Sequence, residues 1–466
     1  MSLLTNIYSA SPVALQNTWV SAYGLYWRQR RYGGIFKSEL KGFKDREAFS
    51  ASQWEEYQTQ QLRKLLVHGF ENVPYYRYIF EKAGWTLSDL QKIELPQLSQ
   101  LPLLEKNTLR EKGTSELLAR KREKGGAFYS SSGSTGTPTQ ILYSLSMHQK
   151  LSAAYEARVR NWAGVNRFQA RGMIGGRRVI PEGIANPPYY RFNRAEKQLY
   201  LSAYHISAQT TPDYLEGINR YGCEYLVGYA MSHFILARFM DELGLEAPKM
   251  NAVLTSSEKL TAEMRKTISR VYQCKVFDAW SGVENCGLIS ESEYGQLLVS
   301  PDVGIVEVVK EDGMPCKPGE TGEIVCTGFL NYDQPLIRYR IGDMARLAVD
   351  QHTRCGRVFP VIEEITGRLE DTVIGKDGRE MVRFHGIFVG LPHVVEGQIV
   401  QNTLDDFTIN IVAMGNLSNH EKEVIEQRMK SQLGEIHINF NLLNEIPRGA
   451  NGKFKAVVSE VERIKA

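Results

Sequence analysis

Between Tyr214 and Phe277 short apolar runs alternate with helical patterns, and this alternation limits the possible folds more than any other stretch of the chain. Tyr225-Leu226-Val227 precedes a helical pattern from Met231 to Leu243, Ala252-Val253-Leu254 precedes one from Thr261 to Tyr272, and Lys275-Val276-Phe277 closes the series. Strands that each wait for a helix before the next strand are joined by crossovers, and crossovers make neighbouring strands parallel. An α/β fold with a parallel sheet is therefore expected. Upstream, Ser52-Gln53-Trp54-Glu55 reads as a capping box opening a helix with Trp54, Leu62, Leu65 and Leu66 on its apolar face, ended by Pro74. Past Gly287, Gly304–Val309 and Gly322–Cys326 are separated by turn-rich segments and read as hairpins of a small β-barrel or sheet. After Gly367 come the alternating Phe407, Ile409 and Ile411, then a helix capped by Ser418-Asn419-His420-Glu421, then the alternating Ile436, Ile438, Phe440 and Leu442. The division expected is an N-terminal domain over 1–366 and a small α+β domain over 367–466.

With 466 residues, 42% hydrophobic and 23% charged, the chain can bury a large core. A net charge of +3 gives no global reason to expect nucleic acid or an anionic membrane as the main partner. The basic-aromatic run Trp27-Arg28-Gln29-Arg30-Arg31-Tyr32 reads as a solvated helix end. Cys223, Cys274, Cys286, Cys316, Cys326 and Cys355 form no C-x-x-C pair and read as free thiols of a reducing compartment. No segment has the length and apolarity of a membrane span, and the first residues lack the pattern of a secretory leader, so a cytoplasmic protein is expected.

The segment Tyr129-Ser130-Ser131-Ser132-Gly133-Ser134-Thr135-Gly136-Thr137-Pro138-Thr139 concentrates hydroxyls and glycines between two short strands, Gly125–Tyr129 and Ile141–Tyr143. Glycine lets backbone N–H groups turn toward an anion, and hydroxyls supply further donors, so the loop reads as a phosphate cradle at a hairpin tip. It has neither the lysine of a Walker loop nor the Gly-x-Ser-x-Gly spacing of a hydrolase elbow. Four polar clusters follow. Ala279-Trp280-Ser281-Gly282-Val283-Glu284 comes just after a parallel strand, where ligands of such sheets bind. Arg338-Tyr339-Arg340-Ile341-Gly342-Asp343 ends on a carboxylate able to accept two ribose hydroxyls. Thr366-Gly367-Arg368-Leu369-Glu370-Asp371 lies where the texture changes, and Pro447 to Lys455 is a glycine-rich tip presenting Lys453.

In order and approximate spacing these five clusters resemble the signature of adenylate-forming enzymes, and most nearly the phenylacetate–coenzyme A ligase family. Val73–Arg77, Ser202–Ser207, Val227–Tyr229 and Pro335–Asp343 look like its capsular polysaccharide branch. The resemblance runs from about residue 50 to the C-terminus. It implies a large adenylation domain, a mobile lid domain, and two half-reactions: a carboxylic acid is activated by ATP as an acyl-adenylate, then the acyl group passes to a thiol, of coenzyme A or a phosphopantetheine carrier. An amine acceptor on an amino sugar is the alternative. The resemblance further implies that Ser131, Ser132, Gly133, Ser134, Thr135 and Gly136 hold the β- and γ-phosphates, that Glu284 binds Mg²⁺, and that Asp343 and Arg368 hold the ribose. Ser257 and Glu258 stand where the family lines the adenine, with Trp280 and Ser281 beside the nucleotide. Lys453 would be the catalytic lysine, Glu370 the hinge, and Tyr155, His205, Tyr229 and Ala230, with Trp280, the acid pocket. The chain departs from the family at Val283, where Thr is common, at Glu370, where Asp is common, and in lacking a lysine shortly after the loop. Two other classes fit these residues less well. A serine amidase leaves Asp343, Arg368 and Lys453 without a task, and a non-catalytic scaffold has no use for Glu284 together with Lys453.

Overall fold

The computed structural model describes residues 3–130, 139–177, 179–181, 187–368, 373–375, 380–381, 387–388, 391–447 and 454–461. Its centre is a twelve-stranded sheet in the order Gly304–Val309, Thr321–Gly328, Tyr339–Leu347, Val361–Arg368, Leu297–Val299, Ile289–Glu291, Lys275–Trp280, Ala252–Ser256, Tyr225–Tyr229, Arg171–Gly175, Gln198–Ser202, Tyr190–Asn193. The five strands from Lys275–Trp280 to Gln198–Ser202 are parallel, as the alternating pattern requires. Helices Ala230–Glu242 and Ala262–Tyr272 make the crossovers. Gly228, with φ +141°, belongs to the tightest approach in this region, since a Cβ there would collide with the Ile174 carbonyl of the neighbouring strand.

The expected hairpins past Gly287 are present but do not close a barrel of their own. Gly304–Val309 and Thr321–Gly328 pair antiparallel and continue, through Tyr339–Leu347 and Val361–Arg368, into the parallel strands. Sharing one sheet removes the exposed edges that a separate small sheet would carry. The helix expected from Ser52 spans Ala51–Asn72, and its capping box is Ser50 with Gln53, two residues earlier than read from sequence. Pro74 ends the extended link after it and opens the helix Pro74–Lys82, where the missing N–H costs nothing. The run Trp27–Tyr32 is not a solvated helix end. Trp27 and Arg30 are buried, and Arg30 donates to the Tyr143 carbonyl (2.9 Å) and to His148 Nδ1 (3.2 Å).

Toward the C-terminus a four-stranded sheet, His437–Leu442, Asp406–Ala413, Val394–Gln401 and Val457–Ser459, packs its own apolar core against the helix Asn419–Leu433. Val457–Ser459 runs parallel to Ile399–Gln401. Arg238, on the crossover helix of the large sheet, donates to the carbonyls of Val394 (2.7 Å) and Pro392 (2.9 Å), so the two sheets are held in contact.

Candidate active site

The parallel strands Ala252–Ser256 and Lys275–Trp280 end side by side, and beyond their carboxyl ends opens a cavity of about 890 Å³. Ser257, Glu258, Trp280, Ser281, Glu284 and Asp343 all line it. Residues that are up to 86 positions apart in the chain, from Ser257 to Asp343, are thus brought to one place.

Glu284 is buried, and its Oε1 lies 3.4 Å from the Thr139 hydroxyl and 3.3 Å from the Tyr339 phenol. Burial, and next the Glu284 carboxylate, push the Tyr339 phenol far above its ordinary range, so it keeps its proton and donates. Gly282 leaves the room this carboxylate occupies, because a Cβ there would meet Glu284 Oε2. Asn285, next in the chain, takes the left-handed conformation at φ +46° and donates to the Val283 carbonyl (2.9 Å). The Tyr143 phenol also donates to that carbonyl, tying the strand after the hydroxyl-rich loop to the turn that carries Glu284. The Ser281 hydroxyl is committed to the same turn, 3.1 Å from the Gly287 carbonyl and 3.2 Å from Asn285 Oδ1.

Asp343 lies on Tyr339–Leu347, and its Oδ2 accepts the Trp280 indole N–H at 2.8 Å. Its cross-strand partner is Arg368, so the two positions named for one sugar are neighbours in the ladder; the side chain of Arg368 lies outside the described residues. Ser257, directly after a parallel strand, also takes a left-handed conformation at φ +70°. The Glu258 carboxylate accepts from the Met231 N–H (3.0 Å), at the start of a crossover helix, and from the Phe454 N–H (3.2 Å). Phe454, Ala456 and Val457 close that side of the cavity. On another wall burial pushes the Asp278 carboxyl up to about 6, even though Thr255 donates to it at 2.9 Å. Lys106 and the Lys259–Glu364 ion pair (2.8 Å) also line the cavity and were not singled out in the sequence, where nothing marks a lysine at a helix start as facing a site.

Of the remaining expectations, Ser131, Ser132, Gly133, Ser134, Thr135, Gly136, Glu370 and Lys453 lie outside the described residues. The strands on either side of the loop pair antiparallel from Ala127↔Tyr143 to Ser130↔Gln140, as a hairpin tip requires. None of the four residues named for the acid pocket without Trp280 borders the described cavity. The Tyr229 hydroxyl accepts the Gly176 N–H at 3.0 Å, His205 Nδ1 lies 2.7 Å from the Ser202 hydroxyl with its ring stacked on Tyr189, Tyr155 sits under the Arg160 guanidinium, and Ala230 is fully buried.

Residues 373–460 match the family model of the CapK C-terminal domain. Over 99% of its length the chain is 25% identical to Protein CapK of Staphylococcus aureus, covering all of that protein. It is also 25% identical to phenylacetate-coenzyme A ligase of Escherichia coli (strain K12), over 70% of this chain and 74% of that one. Among solved structures, 2-hydroxyisobutyryl-CoA ligase in its postadenylation state shares the fold, with a TM-score of 0.70 at 17% identity over 89% of this chain and 91% of that one. By these likenesses and by the order of its motifs, the chain is similar over its whole length to Protein CapK and over most of it to phenylacetate-coenzyme A ligases, and its residues 373–460 carry the CapK C-terminal domain.

Proposed function

We propose that the protein activates a carboxylic acid with ATP as an acyl-adenylate and passes the acyl group to a thiol, that of coenzyme A or of a carrier. The observation that carries this reading is the convergence of Glu284, Asp343 and Trp280 on one cavity whose wall is completed by Phe454, the residue after Lys453. An acid oxygen attacks the α-phosphorus, the bond to the β-phosphate oxygen breaks, and pyrophosphate leaves.

The donor set fits a nucleotide with Mg²⁺. Among the described residues no three His, Cys, Asp or Glu side chains gather as a metal cage, and Mg²⁺ bound to phosphates asks only for one or two carboxylates and waters. Glu284 would hold it, and the ion when bound supplies charge neutralisation at the phosphates. Asp343, oriented by Trp280, accepts the ribose hydroxyls. Lys453 meets the charge that grows at the α-phosphate, and the hydroxyl-rich loop holds the phosphates that leave. A lid over residues 367–466, hinged at Glu370, excludes water that would hydrolyse the adenylate.

The reading is tested by ATP–pyrophosphate exchange across a panel of carboxylic acids. Exchange with at least one acid is expected, and Lys453→Ala abolishes it while ATP still binds. Binding of labelled ATP with no exchange for any acid would overturn the proposal.

A further inference from the structure

The helix Val13–Tyr32 buries two polar side chains, Gln16 and Arg30, and leaves a row of large apolar ones exposed. It buries Gln16, Gly24, Trp27 and Arg30, whereas Leu15, Trp19, Tyr23 and Tyr26 are 43% to 57% exposed. At spacings of four, four and three residues these side chains form one stripe along the helix. Leu25 flanks the stripe, and Ile7 and Ile35, before and after the helix, are exposed as well. Of the 18 large apolar side chains exposed among the described residues, seven therefore fall between residues 7 and 35, a concentration that scattered surface hydrophobics do not produce.

The arrangement has a mechanical cause. Asn17 Oδ1 accepts the Phe192 N–H at 2.9 Å, the Ser21 hydroxyl accepts the Arg194 N–H at 3.0 Å, and Arg30 binds the hairpin and His148. Polar residues fasten the helix to an edge strand and to the loop hairpin, and the apolar stripe is left facing out.

The exposed charges of the helix and of the turn it touches have one sign. Residues 1–38 contain no Asp or Glu. Arg28 and Lys37 are exposed, and Arg28 reaches the Ala195 carbonyl (3.4 Å) in a turn that also exposes Arg194 and Lys197. The acid of that turn, Glu196, is buried and paired with Arg31. No described helix is long and apolar enough to cross a membrane, so a lipid contact made by this one lies in the surface plane.

We propose that this face seats the protein on an anionic lipid surface, with Trp19, Tyr23 and Tyr26 along one flank of the helix at headgroup depth and Arg28, half a turn around the helix from Trp19, along the other flank with Arg194 and Lys197 against lipid phosphates. Tryptophan and tyrosine favour the membrane–water boundary, and exposed basic side chains add attraction to anionic headgroups. A second copy of the chain suits the face less well. Two-fold pairing gathers the same basic residues from both copies with no exposed carboxylate of this helix or turn to oppose them.

The test is cosedimentation of the full-length protein with vesicles of phosphatidylcholine alone and of phosphatidylcholine mixed with phosphatidylglycerol. Binding to the mixed vesicles only is expected, weakening as salt is raised. The triple variant Trp19→Ser/Tyr23→Ser/Tyr26→Ser lowers the bound fraction about tenfold or more, and Arg28→Glu/Lys197→Glu also weakens it, both variants still unfolding in one cooperative transition. No binding to mixed vesicles, or equal binding by wild type and both variants, overturns the proposal. A dimer in sedimentation equilibrium that Trp19→Ser dissociates, without vesicle binding, assigns the face to a second copy instead.

Discussion

Glu284 is held by two hydroxyls that reach it from different parts of the chain, Thr139 from the exit of the hydroxyl-rich loop and Tyr339 from the antiparallel half of the sheet. A hydrogen bond to a charged group contributes about 1.5–3 kcal/mol, so losing either donor frees the carboxylate to swing. On the proposed mechanism Tyr339→Phe and Thr139→Val each slow ATP–pyrophosphate exchange by about tenfold or more, and Glu284→Gln slows it by roughly two to three orders of magnitude. Exchange rates of the three purified variants check this, and a Tyr339→Phe enzyme as fast as wild type would show that the phenol does not position Glu284. Trp280→Phe removes the indole N–H from Asp343. It is expected to raise the KM for ATP several-fold while leaving kcat nearly unchanged, as loss of uniform binding does. Glu284 and Asp343 are legible in the sequence because each ends a polar cluster, Glu284 just after a parallel strand; that Asp343 lies inside a strand, not after one, is set by its pairing with Arg368. The hydroxyl of Tyr339 is not, because no local pattern says that a buried phenol will meet a carboxylate 55 positions away.

At the scale of elements, periodicity predicted both crossover helices to within a residue and three of the five parallel strands to within three residues of their observed limits, since both patterns are properties of single segments. The start of Ala51–Asn72 was misplaced because two serines stand two positions apart, and only the Ser50 hydroxyl both accepts from Gln53 and is met by its side chain. The cap of Asn419–Leu433 was read correctly and yields a pH prediction. Burial raises the Glu421 carboxyl, but the N–H groups of His393 and Ser418, the Ser418 hydroxyl and the His393 ring together bring it down from 4.5 to about 2. A carboxyl with a depressed folded-state pKa stabilises above its unfolded value and loses that contribution as pH falls through the folded one. The helix is therefore expected to lose protection between about pH 4.5 and pH 2, and Glu421→Gln to remove that part of the slope, as read by hydrogen exchange over Asn419–Leu433.

For the whole molecule, among the described residues Arg238, with two donated bonds, and Glu258, with one accepted from Phe454, join the large sheet to the C-terminal segment. If Lys453 acts as proposed, Glu258→Ala and Arg238→Ala unseat the segment that carries it. Each variant is expected to lower exchange by about tenfold, and Arg238→Ala, which lies away from the nucleotide cavity, to do so with ATP affinity retained, because orientation and not binding is lost. Unchanged exchange in both would place the seat elsewhere. By itself the sequence determined the helices and strands between Tyr214 and Phe277, the parallel run of those strands, and the capped helix Asn419–Leu433, because these follow from local spacing and residue type. Only the tertiary structure decided that the later hairpins join the parallel strands in one sheet, that Thr139 and Tyr339 converge on Glu284, and that the aromatic stripe of Val13–Tyr32 faces outward. Each of these depends on contacts between residues far apart in the chain, and such contacts are set by packing and by the pairing of buried polar groups, which no local pattern records.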